Sequence, residues 1–248
     1  MTMKTGGHGV EDLLGTDWRQ AWREHHEARR EPVDVQVWDG RAREFAETAG
    51  SSAYAEVFLA YLGLDPGSSV LDMGCGSGTL AIPLARQGHE VFAVDFSRGM
   101  LDALQRAVEK EGLTTVRSVQ LDLNAPWSEW EDRGITEDCV DVVLASRSTM
   151  VEDIGAAFEK FERAARQRVV VTLVTEFTPR GTKRMGERID GDQPYIPDFI
   201  FAVNVLLQMG KYPSLRYIDC DKTDENGTLQ FVRWAFISWD VEPREKEG

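Results

Sequence analysis

From residue 68 onward, short apolar runs alternate with stretches in which apolar residues recur every three or four positions. The runs SSVLDMGC, HEVFAVDF, VRSVQLDL, CVDVVLAS and RVVVTLVTEF have the length and continuous hydrophobicity of strands buried on both faces. Between them, segments such as SRGMLDALQRAVEKEG have the period of amphipathic helices, and Gly112 is expected to end that helix. This alternation predicts a parallel sheet covered by helices on both faces.

The beginning of the chain has a different, helical pattern. Residues 13–34 predict a helix that is capped by Thr16 and stopped by Pro32. Two more helical stretches follow, with Asp39 and the Ser51–Ser52 pair as candidate caps. These segments precede the first buried strand and therefore predict a helical cap outside the sheet.

The end of the chain returns to strands, but without a helix between them. LRYIDCDKT and FVRWAFISWDV are separated by a turn signal at Asn226–Gly227, which is typical of an antiparallel hairpin. We expect an N-terminal tail and helical cap over residues 1–52 and one doubly wound α/β domain over residues 53–248.

Composition narrows the class of protein. Hydrophobic residues make up 42% and charged residues 28% of the 248 residues, which are ordinary globular values. The net charge of −14 disfavours nucleic acid as a partner because phosphates are repelled. No apolar run reaches the roughly 18–20 residues that a membrane helix needs, and no signal-peptide core is visible. The three widely spaced cysteines (Cys75, Cys139 and Cys220) favour a reducing cytoplasm over disulfides or a zinc site.

A glycine loop carries the main chemical signal. Asp72, Gly74, Gly76 and Gly78 follow the first buried strand and open a helix, and Asp95 ends the second strand 17 residues after Gly78. Glycines let the backbone turn sharply and approach a ligand closely. An acid at the tip of the second strand is where a ribose diol is bound in such folds. The pattern therefore predicts an adenosine-type ligand.

The spacing of the loop discriminates between such ligands. A dinucleotide fingerprint has the form Gly-x-Gly-x-x-Gly, whereas this loop has the form Gly-x-Gly-x-Gly. The carboxylate of Asp72, two residues before the first glycine, would repel a pyrophosphate but suits an ammonium or sulfonium group. S-adenosylmethionine carries both cations and an adenosine, so it is the expected cofactor, with S-adenosylhomocysteine as its product.

Over about residues 68–240, these features resemble the class I S-adenosylmethionine-dependent methyltransferase superfamily. The resemblance implies a Rossmann-like, seven-stranded, mostly parallel sheet whose last strand is antiparallel. It also implies that the methionine part lies on the glycine loop above Asp72, the ribose at Asp95, and the methyl group near Ser146. The full set of implied cofactor-binding residues is Asp72, Gly74, Cys75, Gly76, Gly78, Asp95, Phe96, Ser97, Met100, Asp122, Leu123 and Ser146.

Residues for the methyl acceptor are less defined. Arg147, beside the cationic sulfonium, could bind a carboxylate-bearing acceptor or form a structural salt bridge. His25, on the N-terminal helix, and Arg147 are the candidates for a catalytic role, although His25 also fits a solvated helix face. Trp38, Tyr54 and Tyr195 are further candidates for substrate contact, the last within a long polar insertion. A small-molecule acceptor is the expected partner.

Two further features bear on the chemistry. No carboxylate occurs at Ala145–Ser148 to anchor a magnesium ion, so no metal is expected. Trp127 and Trp130 follow the third strand, where a ring could cover the adenine or anchor a surface loop. The segments Trp38–Arg43 and Ser146–Asp153 are similar to those of uncharacterised bacterial and archaeal methyltransferases.

Alternatives remain open at this point. The acceptor could be a protein or tRNA, although the net charge of −14 disfavours tRNA. A nicotinamide oxidoreductase would need the third glycine one place later, and a non-catalytic S-adenosylmethionine-binding subunit would need no acceptor cavity. The pattern does not distinguish a monomer from a homodimer.

Overall fold

A computed structural model of the chain describes residues 15–27, 35–47, 52–149, 151–178, 181–182, 195–223 and 229–244. Its helices are α1 (Trp18–Glu27), α2 (Val35–Glu47), α3 (Ala53–Leu62), α4 (Ala81–Arg86), α5 (Arg98–Glu111), α6 (Trp127–Asp132), α7 (Ile154–Ala164) and α8 (Asp198–Gln208). Its strands are β1 (Ser69–Met73), β2 (Glu90–Asp95), β3 (Val116–Gln120), β4 (Val140–Ser146), β5 (Ala165–Val174), β6 (Phe177–Thr178), β7 (Gly181–Thr182), β8 (Ser214–Thr223) and β9 (Leu229–Asp240).

Seven of these strands form one sheet in the order β3-β2-β1-β4-β5-β9-β8. Strands β1 to β5 pair in parallel, whereas β9 is antiparallel to both β5 and β8. The predicted fold class, a doubly wound Rossmann-like sheet with an antiparallel last strand, is therefore confirmed. The β8–β9 hairpin is confirmed as well, while its predicted turn at Asn226–Gly227 lies outside the described residues.

Helices cover both faces of the sheet, as the continuous apolar strands predict. Every residue of β1 is buried, because one face packs against α3, α4 and α5 and the other against α1, α7 and α8. Phe58 and Leu104 lie in the first of these cores, and Phe158 and Trp22 in the second. Burial on both sides fixes the register and holds the strand ends at one edge.

The helix ends follow local capping chemistry, with one correction near the N-terminus. Ser52 caps α3, since its Oγ accepts the Ala55 N–H at 3.1 Å, and Gly112 ends α5 with a φ of 65°. The prediction that Thr16 caps the first helix is wrong: α1 begins at Trp18, and Asp17 Oδ1 accepts the N–H of Gln20, in the first turn, at 3.0 Å. An acid at this position also complements the helix dipole.

The prediction that Asp39 caps a helix of its own segment is also wrong. Asp39 lies inside α2, and its carboxylate instead reaches α5. Oδ1 accepts the Gly99 N–H at 2.9 Å and the Ser97 hydroxyl at 2.5 Å. This contact fastens the N-terminal part of the chain to the tip of β2. The predicted stop at Pro32 lies outside the described residues.

None of the helices in the described residues combines the length and the apolar character needed to cross a membrane.

Candidate functional site

The glycine loop connects β1 to α4 and is held against β2. The N–H groups of Gly74 and Cys75 both donate to the carbonyl of Val94, at 2.7 and 2.9 Å. Gly74, Gly76 and Gly78 all have positive φ angles, of 74°, 55° and 98°, a region that favours glycine. The loop is therefore a sharply turned segment pinned to the neighbouring strand.

Two of the three glycines also meet a steric requirement. A Cβ at Gly74 would lie 2.2 Å from the Cβ of Ser148, and one at Gly78 would lie 2.6 Å from Leu104. At Gly76, in contrast, the sulfur of Met100, at 4.0 Å, would be the only neighbour of such a Cβ within that distance among the described residues. Gly74 and Gly78 let the protein pack against the loop, whereas the space above Gly76 is open.

Asp72 is a buried acid with an unused oxygen. Its residue surface is 2% exposed, and Oδ2 has no hydrogen-bond partner among the residues that the structure describes. Burial, reinforced by the negative charge of Asp95, raises the pKa of Asp72 to about 7. A buried carboxylate with a free oxygen is costly unless it is protonated or a cationic ligand pairs with it.

Asp95, at the end of β2, organises the loop from the other side. Oδ2 accepts the Gly76 N–H and Oδ1 accepts the Ser97 N–H, each at 2.8 Å. Burial raises its pKa, while these backbone donors oppose the rise. A carboxylate has about four lone-pair sites and the N–H of Phe96 is a third backbone donor to it, so at least one site remains for a further donor such as a ribose hydroxyl.

The predicted adenine-side residues surround this point. Ser97 caps α5, with its Oγ accepting the Met100 N–H at 3.1 Å, and Met100 is buried against α2. Asp122 is exposed after β3 and accepts the N–H of Asn124, and the carbonyl of Leu123 accepts a hydrogen bond from Lys160. Phe96 is half-buried next to Asp95. The resemblance thus selects residues that lie along the tips of β2 and β3.

Cys75 adds no nucleophile to the loop. The thiol is buried, and burial together with Asp72 and Asp95 raises its pKa well above the ordinary value. Burial likewise raises the pKa of Cys139 and Cys220. The raised pKa values favour the protonated form of all three thiols, which is the less nucleophilic form.

The tip of β4 forms a second polar centre. Ser146 Oγ and the Tyr54 hydroxyl lie 2.7 Å apart, and the same hydroxyl lies 2.8 Å from Thr172 Oγ1 on β5. Tyr54 is buried, and burial raises the pKa of its phenol. Helix α3 is thereby anchored to the ends of two strands, and Tyr54 is brought beside Ser146.

Arg147 follows directly and has an unusual backbone conformation, with a φ of 57°. Its N–H donates to Thr172 Oγ1 at 3.1 Å. Its guanidinium carbon lies 4.3 Å from the ring centre of Tyr54 and 5.9 Å from that of Trp234 on β9. The structure therefore brings together two of the predicted acceptor residues, Arg147 and Tyr54.

The other acceptor candidates lie elsewhere. Trp38 packs near Met100 on the α5 side of the site. Tyr195 is buried, and its hydroxyl donates to the carbonyl of Thr175 at 2.9 Å. His25 packs against α8, where its ring centre is 4.5 Å from that of Phe201. Most of the polar insertion that contains Tyr195, residues 183–194, lies outside the described residues.

The proposal that Trp130 covers the adenine is wrong. Trp130 is completely buried in the core of α6 and α7, so it cannot present a ring to a ligand. Trp127 stacks on it with ring centres 5.6 Å apart. The guanidinium carbon of Arg163 lies 4.4 Å from the ring centre of Trp127. The two tryptophans anchor the segment after β3, which was the alternative prediction.

The sequence did not indicate that Trp234 and Thr172 belong to the site, nor that Ser148 contacts the glycine loop. Ser148 Oγ donates to the carbonyl of Met73 at 2.7 Å, beneath the glycine loop. Alternation in FVRWAFISW places Trp234 on one face of β9, but only the strand order shows that this face meets Arg147. In the described residues, no group of three or more His, Cys, Asp or Glu side chains is arranged to hold a metal ion.

Comparison with known proteins defines the class. Residues 70–168 match the family model described as a methyltransferase domain. The sheet order is that of the class I S-adenosylmethionine-dependent methyltransferases, and the chain is a member of this family.

The individual relatives carry different names. An uncharacterized protein of Haemophilus influenzae is 36% identical over 222 residues, which cover 85% of this chain and 78% of that protein. A 23S rRNA (uracil(1939)-C(5))-methyltransferase of Pseudomonas fluorescens is 33% identical over 53% of this chain, but over only 33% of its own length. A phosphoethanolamine-type N-methyltransferase structure from Haemonchus contortus, in complex with S-adenosylhomocysteine, has a TM-score of 0.60 at 16% identity, covering 86% of this chain and 61% of that chain.

The residues of the site fit the cofactor of this family. The unpartnered Oδ2 of the buried Asp72 and the open space above Gly76 are the two observations that bear on this fit. The first suits a cationic group and the second leaves room for a ligand against the backbone. The chain is an S-adenosylmethionine-dependent methyltransferase.

Proposed function

We propose that this enzyme methylates a small-molecule acceptor at the carboxyl ends of β4 and β5. The observation that carries the proposal is that each of the three N-terminal helices is bonded to residues at or beyond the carboxyl ends of the strands. Helix α1 is fixed there by Trp22, whose Nε1 donates to the carbonyl of Val151 at 3.0 Å. Helix α2 is fixed by Asp39 at Ser97, and α3 by Tyr54 at the tip of β4.

Helix α1 is also held by charge. Arg19 and Arg23 both bind the carboxylate of Asp153, at 3.2 and 2.8 Å, and Arg19 binds Glu159 at 2.7 Å. Trp18 and Trp22 add edge-to-face contacts with Phe201 of α8. A site surrounded by anchored helices suits a small ligand, which such sites enclose, better than a flat macromolecular surface.

The cofactor half of the proposal assigns a role to each acid. Asp72 receives the ammonium group on its free oxygen, and Asp95 receives the ribose hydroxyls on its remaining lone pairs. Gly76 leaves room for the methionine part, and Ser97, Met100, Phe96, Asp122 and Leu123 line the adenine side. Ser146 and Cys75 border the reacting end of the ligand.

The reaction itself asks little of the protein. When bound, S-adenosylmethionine supplies a methyl group whose carbon–sulfur bond breaks, with both electrons staying on sulfur, as the acceptor's lone pair forms the new bond. The chain contributes by holding the acceptor in line with that bond, an effect that can lower the barrier by about 7–11 kcal/mol. Ser146 and Tyr54 supply hydroxyl groups at this position.

RNA methylation is the second candidate, because one relative is named as an rRNA methyltransferase. That match spans a third of the relative, so it supports a shared catalytic domain and not a shared substrate. The net charge of −14 also opposes binding of a phosphate backbone. These two points favour the small-molecule proposal.

The test offers the purified protein tritiated S-adenosylmethionine with a small-molecule extract, total RNA and a protein fraction in separate reactions. We expect label in the small-molecule extract, with the product identified by mass spectrometry.

The Asp95→Ala variant should weaken S-adenosylhomocysteine affinity by about 1.5–3 kcal/mol, roughly 10- to 150-fold, in calorimetry. Asp102→Ala, which removes a half-buried acid on α5 that pairs with Arg98, is the control that should retain both labelling and S-adenosylhomocysteine affinity. Label found only in RNA or protein would refute the proposal.

A further inference from the structure

Among the side chains that the structure describes, Arg147 has no acidic partner, whereas Arg86 and Arg233 each have one. Within the described residues, no carboxylate oxygen lies within 4.0 Å of its guanidinium nitrogens, although acids outnumber bases by 42 to 28. Arg86 binds both oxygens of Glu111 at 2.7 Å, and Arg233 binds both oxygens of Asp219 at 2.7 and 2.9 Å. The unpaired cation at Arg147 is therefore not explained by a shortage of acids.

The backbone at this position is fixed from several sides. The Arg147 N–H donates to Thr172, while the neighbouring Ser146 and Ser148 are bonded to Tyr54 and to the carbonyl of Met73. These contacts maintain a φ of 57°, which is rare for a residue with a side chain. Such conformations persist where the surrounding structure over-determines them, and they concentrate at functional sites.

The side chain is supported on one face and open at its edge. The guanidinium lies over the rings of Tyr54 and Trp234, and the residue is exposed to solvent. Stacking on an aromatic ring uses the face of the guanidinium and leaves its in-plane N–H donors available. A preorganised fork of this kind matches the two oxygens of a carboxylate.

The location of Arg147 connects its guanidinium with the proposed reaction. Arg147 follows Ser146, and its charge acts on the buried Asp72. Near a cationic methyl donor, an unpaired guanidinium is repelled, and an anionic acceptor removes that repulsion. From these observations we infer that Arg147 holds an oxyanion group of the acceptor, of the carboxylate class. This inference rests on the proposed methylation of a small molecule and names the chemistry of that molecule.

Two measurements test the inference. In the first, the small-molecule extract is separated by anion exchange at neutral pH, and each fraction is incubated with tritiated S-adenosylmethionine. We expect label in the anion-binding fraction, and we expect Arg147→Gln to reduce it at least tenfold through a higher KM. Arg216→Gln is the matched control, because Arg216 is also exposed, lies over a tyrosine ring at 5.2 Å and is outside the site.

The second measurement does not need the acceptor. Acetate, benzoate and inorganic phosphate are each titrated into the S-adenosylhomocysteine complex by calorimetry. At least one carboxylate should bind the wild type and Arg216→Gln in the millimolar range, and its affinity should fall at least tenfold in Arg147→Gln. The affinity of Arg147→Lys for that carboxylate should lie between those of the wild type and Arg147→Gln, because lysine keeps the charge but lacks the two parallel N–H donors of the guanidinium. Tighter binding of phosphate than of either carboxylate would identify a phosphate-bearing acceptor and overturn the carboxylate assignment.

The outcomes separate the two proposals. Label confined to the neutral and cationic fractions overturns the inference while supporting small-molecule methylation. No label in any small-molecule fraction refutes that proposed function, and the calorimetric panel then decides alone whether Arg147 is an anion site. If no anion binds, or if Arg147→Gln binds as well as the wild type, the inference is wrong.

Discussion

The two halves of the site are built in different ways. On the β1–β2 side, Asp72, the glycine loop and Asp95 come from one stretch of 24 residues and bond mainly to each other's backbone. On the β4–β5 side, Tyr54, Arg147 and Trp234 are separated by more than 85 residues in sequence and meet through their side chains. The first half is a local motif, whereas the second depends on the complete fold.

This difference is one of physical cause. Binding a nucleoside cation requires backbone geometry, and glycines and strand-end acids provide it within a short segment. Recognising an acceptor requires side chains placed around it, and helices that precede the sheet supply them here. We therefore expect substitutions in the first half to change cofactor binding and loop stability. Substitutions in the second half should leave cofactor affinity nearly unchanged.

The largest expected effect is on the stability of the ligand-free protein in Asp72→Asn. The folded pKa of about 7 lies above the unfolded value near 4, so the folded state holds a proton that the unfolded state has lost between these values. Stability contributed by this group is thus present below pH 4 and is lost as the pH rises to 7. Removing the charge should stabilise the protein at pH 8 by at most about 4 kcal/mol.

Urea denaturation at pH 8 and at pH 5 measures this difference. The gain should shrink markedly at pH 5, where Asp72 is largely protonated in the folded state. A variant less stable than the wild type at pH 8 would contradict the assignment of Asp72 as a charge that awaits a cation.

A pair of glycine variants tests the loop geometry. Gly74→Ala and Gly76→Ala both place a side chain at positive φ, which costs about 1 kcal/mol. Only Gly74→Ala also meets the Cβ of Ser148 at 2.2 Å, which should add about 1–3 kcal/mol of overpacking. Denaturant midpoints should therefore fall further for Gly74→Ala. Equal losses would show that the loop does not pack on Ser148 as described.

The smallest effect is expected in the acceptor half. Tyr54→Phe removes a hydroxyl that bonds to Ser146 and Thr172 but keeps the ring beneath Arg147. The expected destabilisation is about 1–2 kcal/mol, with S-adenosylhomocysteine affinity changed by less than about threefold. Tyr61→Phe, whose ring lies under Arg216 outside the site, is the matched control in denaturation and calorimetry. A large loss of cofactor affinity in Tyr54→Phe would mean that the two halves are not separate.

What the sequence could predict follows the same division between a local motif and contacts that depend on the complete fold. Alternating buried strands and helices predicted the sheet, its antiparallel end and the end of α5 at Gly112, because hydrophobic period and glycine caps are local properties. The glycine loop and Asp95 were likewise visible, since they belong to one contiguous motif. Their binding roles stay predictions until a ligand is measured.

Tertiary contacts account for the remainder. Asp39 had the residue type of a helix cap, but its partner is the N-terminus of α5, about 60 residues later. Trp130 follows the third strand, where a ring could cover the adenine, but its side chain is buried in the core. Alternation places Trp234 on one face of β9, but only the order of β5, β9 and β8 brings that face beside Arg147. Local patterns cannot contain this information.

Calorimetric titration of S-adenosylhomocysteine at pH 8 into the wild type, Asp72→Asn and Arg147→Gln tests the division of the site most directly. The loss of a charge-assisted bond in Asp72→Asn should weaken binding by about 2–3 kcal/mol, roughly 30- to 150-fold. Arg147→Gln should stay within about threefold of the wild type. Unchanged affinity in Asp72→Asn, or an equal loss in both variants, would contradict the account.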